Sequence, residues 1–254
     1  MELVESADGT RIALDRAGTG PPLVIVLGAS CDRSTSKPLA GLLASSYTVY
    51  EYDRRGRGDS DDGLPLSIEG EVRDLAAVVA AAGEAPFVYG HSSGASLALE
   101  AAARGVAMRR LAVYEPPYTG DYDPGPEFGR HLDELVAAGR RDAAAEQWLA
   151  ATGTTPAIIE SIKSSPGWAQ RQALAHTLSQ DLRLANNGRA PVERFVRIDI
   201  SVLALAGGAS PSWAQSTTAT LAGSLPHATE HVVDGQQHIP PDPVIAAILE
   251  SFFF

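Results

Sequence analysis

Cysteine is nearly absent: Cys31 is the only one in 254 residues, which excludes an intramolecular disulfide. Positive charge is also short. Twenty lysines and arginines face 31 aspartates and glutamates, and the formal net charge of -11 sets up a field that repels nucleic-acid phosphates and anionic membrane surfaces. No apolar run approaches the ~18 to 20 residues that span a bilayer. The polar start Met1-Glu2-Leu3-Val4-Glu5-Ser6 lacks the charged and apolar regions of a secretory signal. These absences predict a cytoplasmic protein with neither nucleic acid nor membrane as a partner. No H-x-x-x-H, C-x-x-C or carboxylate cluster has ligand spacing, and no Gly-rich phosphate fingerprint appears, so neither a metal nor a cofactor is expected. Internal repeats and low-complexity tracts are missing as well.

What is present is enough apolar material, 44% of the residues, for one sizeable core. Residues 2 to 16 read as a hairpin turning at Asp8-Gly9. Leu23 to Leu27 is continuously apolar and rich in β-branched residues, the mark of a strand buried on both faces of a mostly parallel sheet. Further strands are predicted at Tyr47–Asp53, Phe87–Tyr89, Arg110–Tyr114, Ile200–Ala206 and His231–Val233. Helices alternate with them over about 38–45, 68–82 with Ser67 as N-cap, 93–104, 211–222 and 242–251. The terminal Phe252-Phe253-Phe254 reads as packing of that last helix. Strand and helix alternation predicts a doubly wound, mostly parallel α/β sheet. Between 118 and 197 strands vanish and amphipathic segments appear near 126–138, 140–151, 156–163 and 167–185. The expected organisation is therefore a core of residues 1–117 and 198–254 with a helical cap, 118–197, inserted into it.

One stretch carries the chemistry. Phe87-Val88-Tyr89 breaks at Gly90, presents Ser92, meets Gly94 and runs into an alanine-rich helical pattern. Strand, tight turn and helix is the context in which G-x-S-x-G is a nucleophile elbow. A serine hydroxyl needs a base to take its proton and a third group to orient that base, and in this arrangement the partners follow in the order Ser, acid, His. His238 fits the base, since it alone of the six histidines lies between the last strand and the last helix.

With the strand ending in Gly28-Ala29, the Asp53-Arg54-Arg55-Gly56-Arg57-Gly58-Asp59-Ser60 loop, the Gly90-His91-Ser92-Ser93-Gly94 elbow and the late loop histidine, the chain resembles the α/β-hydrolase superfamily over nearly all its length apart from the cap. The resemblance implies an oxyanion hole made by the backbone N–H groups of Ala29 and Ser93. Two departures stand out. Leu27-Gly28 replaces the frequent His-Gly, and Ser210 occupies the position after Gly207 where the family's aspartate usually falls. Some members take the acid from the end of the strand directly after the elbow, and Glu115 has that place here. Asp234 remains a second candidate, Asp53 reads as a structural turn residue, and Asp199 lies at the wrong end of the sheet.

The resemblance thus implies a serine hydrolase, with a Ser92-His238-Glu115 triad, cleaving a small, mostly apolar ester, thioester or lactone through an acyl-enzyme. Ser92 in place of an aspartate argues against epoxide hydrolase or dehalogenase chemistry. The alternative is a cyclase-like biosynthetic catalyst or a small-molecule-binding protein on the same fold, suggested by the departures at Leu27 and Ser210. Tyr118, Trp168 and Trp213 are candidates for an apolar substrate pocket. His91 and His176 read as structural, Cys31 as a pocket-wall residue, and Arg54, Arg55 and Arg57 as solvated arginines bonding loop carbonyls.

Overall fold

The computed structural model describes residues 1–254 and contains one eight-stranded sheet in the order β1-β2-β4-β3-β5-β6-β7-β8. The strands are β1 (Glu2–Glu5), β2 (Arg11–Ala17), β3 (Pro22–Val26), β4 (Thr48–Tyr52), β5 (Phe87–His91), β6 (Arg110–Tyr114), β7 (Ser201–Gly207) and β8 (Ala228–Val233). The β1–β2 hairpin joins β4 antiparallel, and every other pairing is parallel. Helices α1 (Lys37–Leu43), α2 (Ile68–Ala81) and α3 (Ser93–Ala103) connect the parallel strands. Between β6 and β7 lie α4 (Gly125–Ala137), α5 (Arg141–Ala151), α6 (Pro156–Lys163), α7 (Trp168–Ala173), α8 (Leu178–Leu184) and α9 (Val192–Phe195). The chain closes with α10 (Ser212–Ser224) and α11 (Asp242–Phe253). No helix is long and apolar enough to cross a membrane.

The continuous apolar runs follow from burial on both faces. Along β3, Val24 and Val26 face one core with Leu75, Leu97 and Leu221, while Leu23 and Ile25 face another with Leu43, Leu249 and Phe253. Alternate side chains point to opposite faces, so a strand covered twice needs apolar residues at every position. Phe253 stacks on Phe87 with ring centroids 4.7 Å apart, as the packing reading of the terminal phenylalanines requires.

Two expected elements differ. The helix predicted over 167–185 is broken into α7 and α8 by a 3-10 turn at Ala175–Thr177, where Thr177 Oγ1 donates to the Leu174 carbonyl and competes with the helical ladder. β8 begins three residues earlier than its apolar core suggests. As the edge strand it is largely exposed, so its first residues, Ala228-Thr229-Glu230, carry little apolar signal.

The order β4-β3-β5 positions the site. After β3 the chain moves to one side, then returns to place β5 on the other, so a crevice opens beyond the carboxyl ends of β3 and β5. Gly28 and Ser92 lie against each other at these ends.

Candidate active site

β5 ends at His91 and α3 begins at Ser93, which leaves Ser92 to make the turn with φ 55° and ψ −127°. Such a conformation costs a non-glycine residue about 1–3 kcal/mol and persists only where the surroundings dictate it. They do so here. A Cβ on Gly94 would stand 2.2 Å from the Val26 carbonyl oxygen, one on Gly90 2.7 Å from Ala95 Cα, and one on Gly28 2.8 Å from Ser92 Cβ. The Ala29 N–H has no acceptor in the protein, and the Ser93 N–H, first in α3, has none within its helix. Two free donors therefore flank the serine.

On the other flank, the sheet register sets the acid. His91 pairs with Tyr114, Ser92 N–H donates to the Tyr114 carbonyl (2.9 Å), and the next residue along is Glu115. Its φ of 45° turns the side chain out of the strand direction. Glu115 is fully buried, and its Oε2 lies 2.7 Å from Nδ1 of His238, whose side chain is 40% exposed. The Gly207 N–H donates to Oε1 at 2.7 Å. Burial alone would raise this carboxyl; His238, Ser210 and the Gly207 amide outweigh it and hold the group below its ordinary value. Ser210 thus stands beside the acid at the position where an aspartate was expected. Two further bonds fix the histidine loop: Tyr114 donates its hydroxyl to the Gln237 carbonyl (2.7 Å), and His91 Nε2 meets the His238 carbonyl (2.8 Å). Ser92 and His238 share no hydrogen bond. In free enzymes such bonds are often long and tighten around substrate.

The arginines of the 53–60 loop correct the solvated reading, since Arg54, Arg55 and Arg57 are all at most 3% exposed. Arg55 pairs with Asp74 and Asp8, Arg54 with Glu71 and Asp181, and Arg57 with both oxygens of Asp181. Arginine is almost never buried without a partner, and here the partners come from α2, α8 and, in Asp8, the β1–β2 turn.

Two of the aromatic candidates lie in a cleft that does not include the serine. Tyr118 and Trp213 line a cleft of about 460 Å³ with Tyr122, Ala190 and Thr217, and neither Ser92 nor His238 belongs to its wall. Tyr118 is itself buried in the core, its ring 6.2 Å from that of Phe195, and Trp168 is a half-buried residue opening α7 outside that cleft. Composition cannot separate an aromatic that packs from one that lines a pocket. Asp53 is a turn residue, accepting the Asp59 and Arg33 amides. Asp234 is exposed and its carboxylate bonds to no protein group. Burial pushes the Cys31 thiol up, away from the thiolate form.

A doubly wound sheet with a serine elbow at its switch point is the architecture of the α/β hydrolases. Residues 18–246 match the model of the alpha/beta hydrolase family, and the chain belongs to that family. It is similar to a solved α/β hydrolase from Sphaerobacter thermophilus DSM 20745, with 43% identity over 100% of both chains and a TM-score of 0.94. An esterase from Thermogutta terrifontis shares 20% identity over 99% of this chain and 97% of its own, with a TM-score of 0.77. An enol-lactonase from Burkholderia xenovorans LB400 shares 17% over 99% of each, with a TM-score of 0.76. At those identities the likeness shows the fold alone. No curated protein matches the sequence.

Proposed function

We propose that the protein is a serine hydrolase of small esters, thioesters or lactones, and that the observation carrying this reading is the 2.7 Å bond between the buried Glu115 carboxylate and His238 Nδ1. A carboxylate held in its charged form accepts only, so Nδ1 carries the proton and Nε2 presents its lone pair. Ser92 Oγ attacks the substrate carbonyl carbon while its proton passes to Nε2. The Ala29 and Ser93 amides receive the oxyanion. Collapse breaks the bond to the alcohol, thiol or ring oxygen, which takes the proton from Nε2. Water, deprotonated by the same nitrogen, then releases the acid and restores Ser92. Residues 118–197 act as the cap over this site. The fold is compatible with substrates of this class, since structural neighbours that share it are named an esterase and an enol-lactonase.

The cyclase-like or binding-protein reading rests on the departures at Leu27 and Ser210, and the Glu115–His238 bond speaks against the second, since an acid other than residue 210 meets the histidine. A fluorophosphonate probe tests the proposal: the wild type should be labelled on Ser92, and Ser92→Ala should lose both the label and, by on the order of 10⁶-fold, turnover of a p-nitrophenyl ester. A wild type that resists labelling overturns the proposal.

A further inference from the structure

The arginines behind the oxyanion turn converge on one carboxylate from the helical segment. Asp181, on α8, is 1% exposed. It accepts from Arg57 Nη2 with both oxygens (2.8 Å each), from Arg54 Nη1 (2.8 Å) and from the Ser93 hydroxyl (2.7 Å). Arg54 is also paired with Glu71, so two buried cations meet two buried anions and the cluster is neutral. Burial would raise the Asp181 carboxyl, but Arg57, Arg54 and Ser93 hold it below its ordinary value.

The second hand of Arg57 is the informative one. Its Nη1 donates to the Gly28 carbonyl at 2.5 Å and reaches the Cys31 carbonyl at 3.3 Å. The Gly28 carbonyl and the Ala29 N–H are the two ends of one peptide group. A guanidinium on the oxygen fixes the plane of that group and draws electron density from its nitrogen, which strengthens the N–H as a donor. Arg54 Nη1 lies 3.3 Å from the preceding Leu27 carbonyl, where the family often has a histidine. On the opposite wall, the Ser93 hydroxyl is bound to the same Asp181, and Ser93 supplies the other proposed amide.

We propose that Asp181 and Arg57 are positioning residues that set both amides of the oxyanion hole, so that the helical segment takes part in transition-state stabilisation as well as covering the site. This rests on the reading of Ser92 as nucleophile.

The experiment compares wild type with Arg57→Met, Arg57→Lys, Asp181→Asn and Ser93→Ala. Active sites are first counted by fluorophosphonate titration. Then kcat per titrated site, KM for a p-nitrophenyl ester and the affinity of an aryl trifluoromethyl ketone are measured. Ser92 Oγ adds to that ketone with its proton passing to His238, forming a hemiketal oxyanion. Removing an oxyanion donor outright costs about 10²–10³-fold in kcat, so loss of its support in Arg57→Met should cost about 10- to 100-fold. The ketone should weaken by the same factor, KM should stay within about twofold, and Arg57→Lys should recover part of the loss by keeping a cation. A merely structural role would lower the titratable fraction and leave the per-site values alone, and that result overturns the proposal. Where Arg57→Met or Asp181→Asn fails to fold, Ser93→Ala decides. It removes one hydroxyl and keeps the amide, and a parallel loss of several-fold in kcat and ketone affinity is expected, whereas unchanged values overturn the idea. A wild type with no titratable serine overturns both this inference and the hydrolase reading; a labelled, active wild type with indifferent variants overturns this inference alone.

Discussion

The two flanks of Ser92 are built in opposite ways. On the side of Ala29 and Ser93, Arg54, Arg57, Glu71 and Asp181 are buried and their charges are paired. On the other side, His238 sits 40% exposed on a loop hung from three neighbours, Glu115, Tyr114 and His91. Under the proposed hydrolysis, the difference follows from what each flank has to do. Donors that meet a developing negative charge act most strongly when fixed and desolvated, and a neutral cluster of buried ions supplies fixity without a net field. A base must exchange protons with substrate and water, so it stays wet and takes its rigidity from the strands beside it. The two flanks should therefore differ in degree: damage to the base flank appears in rate, and damage to the buried flank in stability together with a smaller loss of rate.

The largest effect tests the base flank. Glu115→Gln removes the charge that fixes the His238 tautomer and stabilises its imidazolium, and kcat should fall by about 10⁴-fold, equivalent to about 5.5 kcal/mol. Asp234→Asn, altering an exposed carboxylate without a protein partner, should stay within about twofold. Steady-state turnover of one activated ester by both variants checks this, and a larger loss in Asp234→Asn would move the acid to β8.

Next comes the buried flank. Glu71→Gln strips one partner from Arg54 while Asp181 remains, and breaking a buried pair from one side costs about 3–5 kcal/mol. Urea unfolding should show that loss, with kcat reduced far less than in Glu115→Gln. Unaltered stability together with a 10⁴-fold loss of kcat would erase the distinction between the flanks.

How much of this was legible depended on whether the signal was local. The elbow was readable because glycine, serine and glycine follow an apolar run, each for a steric reason visible in the chain. Glu115 was readable through the resemblance, as the residue after the strand that follows the elbow, and the register His91↔Tyr114 brings it beside Ser92. The buried arginines were not readable. Loop arginines are usually solvated, and the Asp181 that buries Arg57 lies 124 residues away on a helix whose own pattern gives no hint of a partner. The same limit applies to His91, whose contact with the His238 carbonyl spans 147 residues, and to Tyr118 and Trp213, whose packing is tertiary.

His91 offers a third, smaller test. Desolvation of its partly buried ring, then the neighbouring His238, lowers it from 6.5 to about 4. In the unfolded chain the ring takes a proton below about pH 6.5, whereas the native ring stays neutral until about 4, so the unfolded state binds more protons between those values. Stability from this residue is full above 6.5 and is lost as pH falls towards 4. The limit is about 3 kcal/mol, an upper bound because part of the ring meets solvent. Urea unfolding between pH 7 and 5 should show a steeper decline in the wild type than in His91→Gln. Parallel curves would mean that the ring is not held neutral.

The smallest effect asks whether the base flank needs its supports for rate or only for folding. Tyr114 is buried, stacks on His91 with centroids 5.8 Å apart and donates its hydroxyl to the Gln237 carbonyl, one residue before the base. Tyr114→Phe keeps the ring and the stack and deletes that single bond, worth about 1 kcal/mol. If the bond serves to hold His238 against Glu115, the loss should appear as a several-fold fall in kcat/KM, since 1.4 kcal/mol is about tenfold in rate. Glu115→Gln already lacks the charge that the loop aligns with, so adding Tyr114→Phe to it should cost less than the same change in the wild type. Equal costs in both backgrounds would mean that the bond acts on rate independently of Glu115, and a lowered Tm with unchanged kcat/KM would assign the tyrosine to the fold alone and leave Glu115 and His91 as the groups that fix the base.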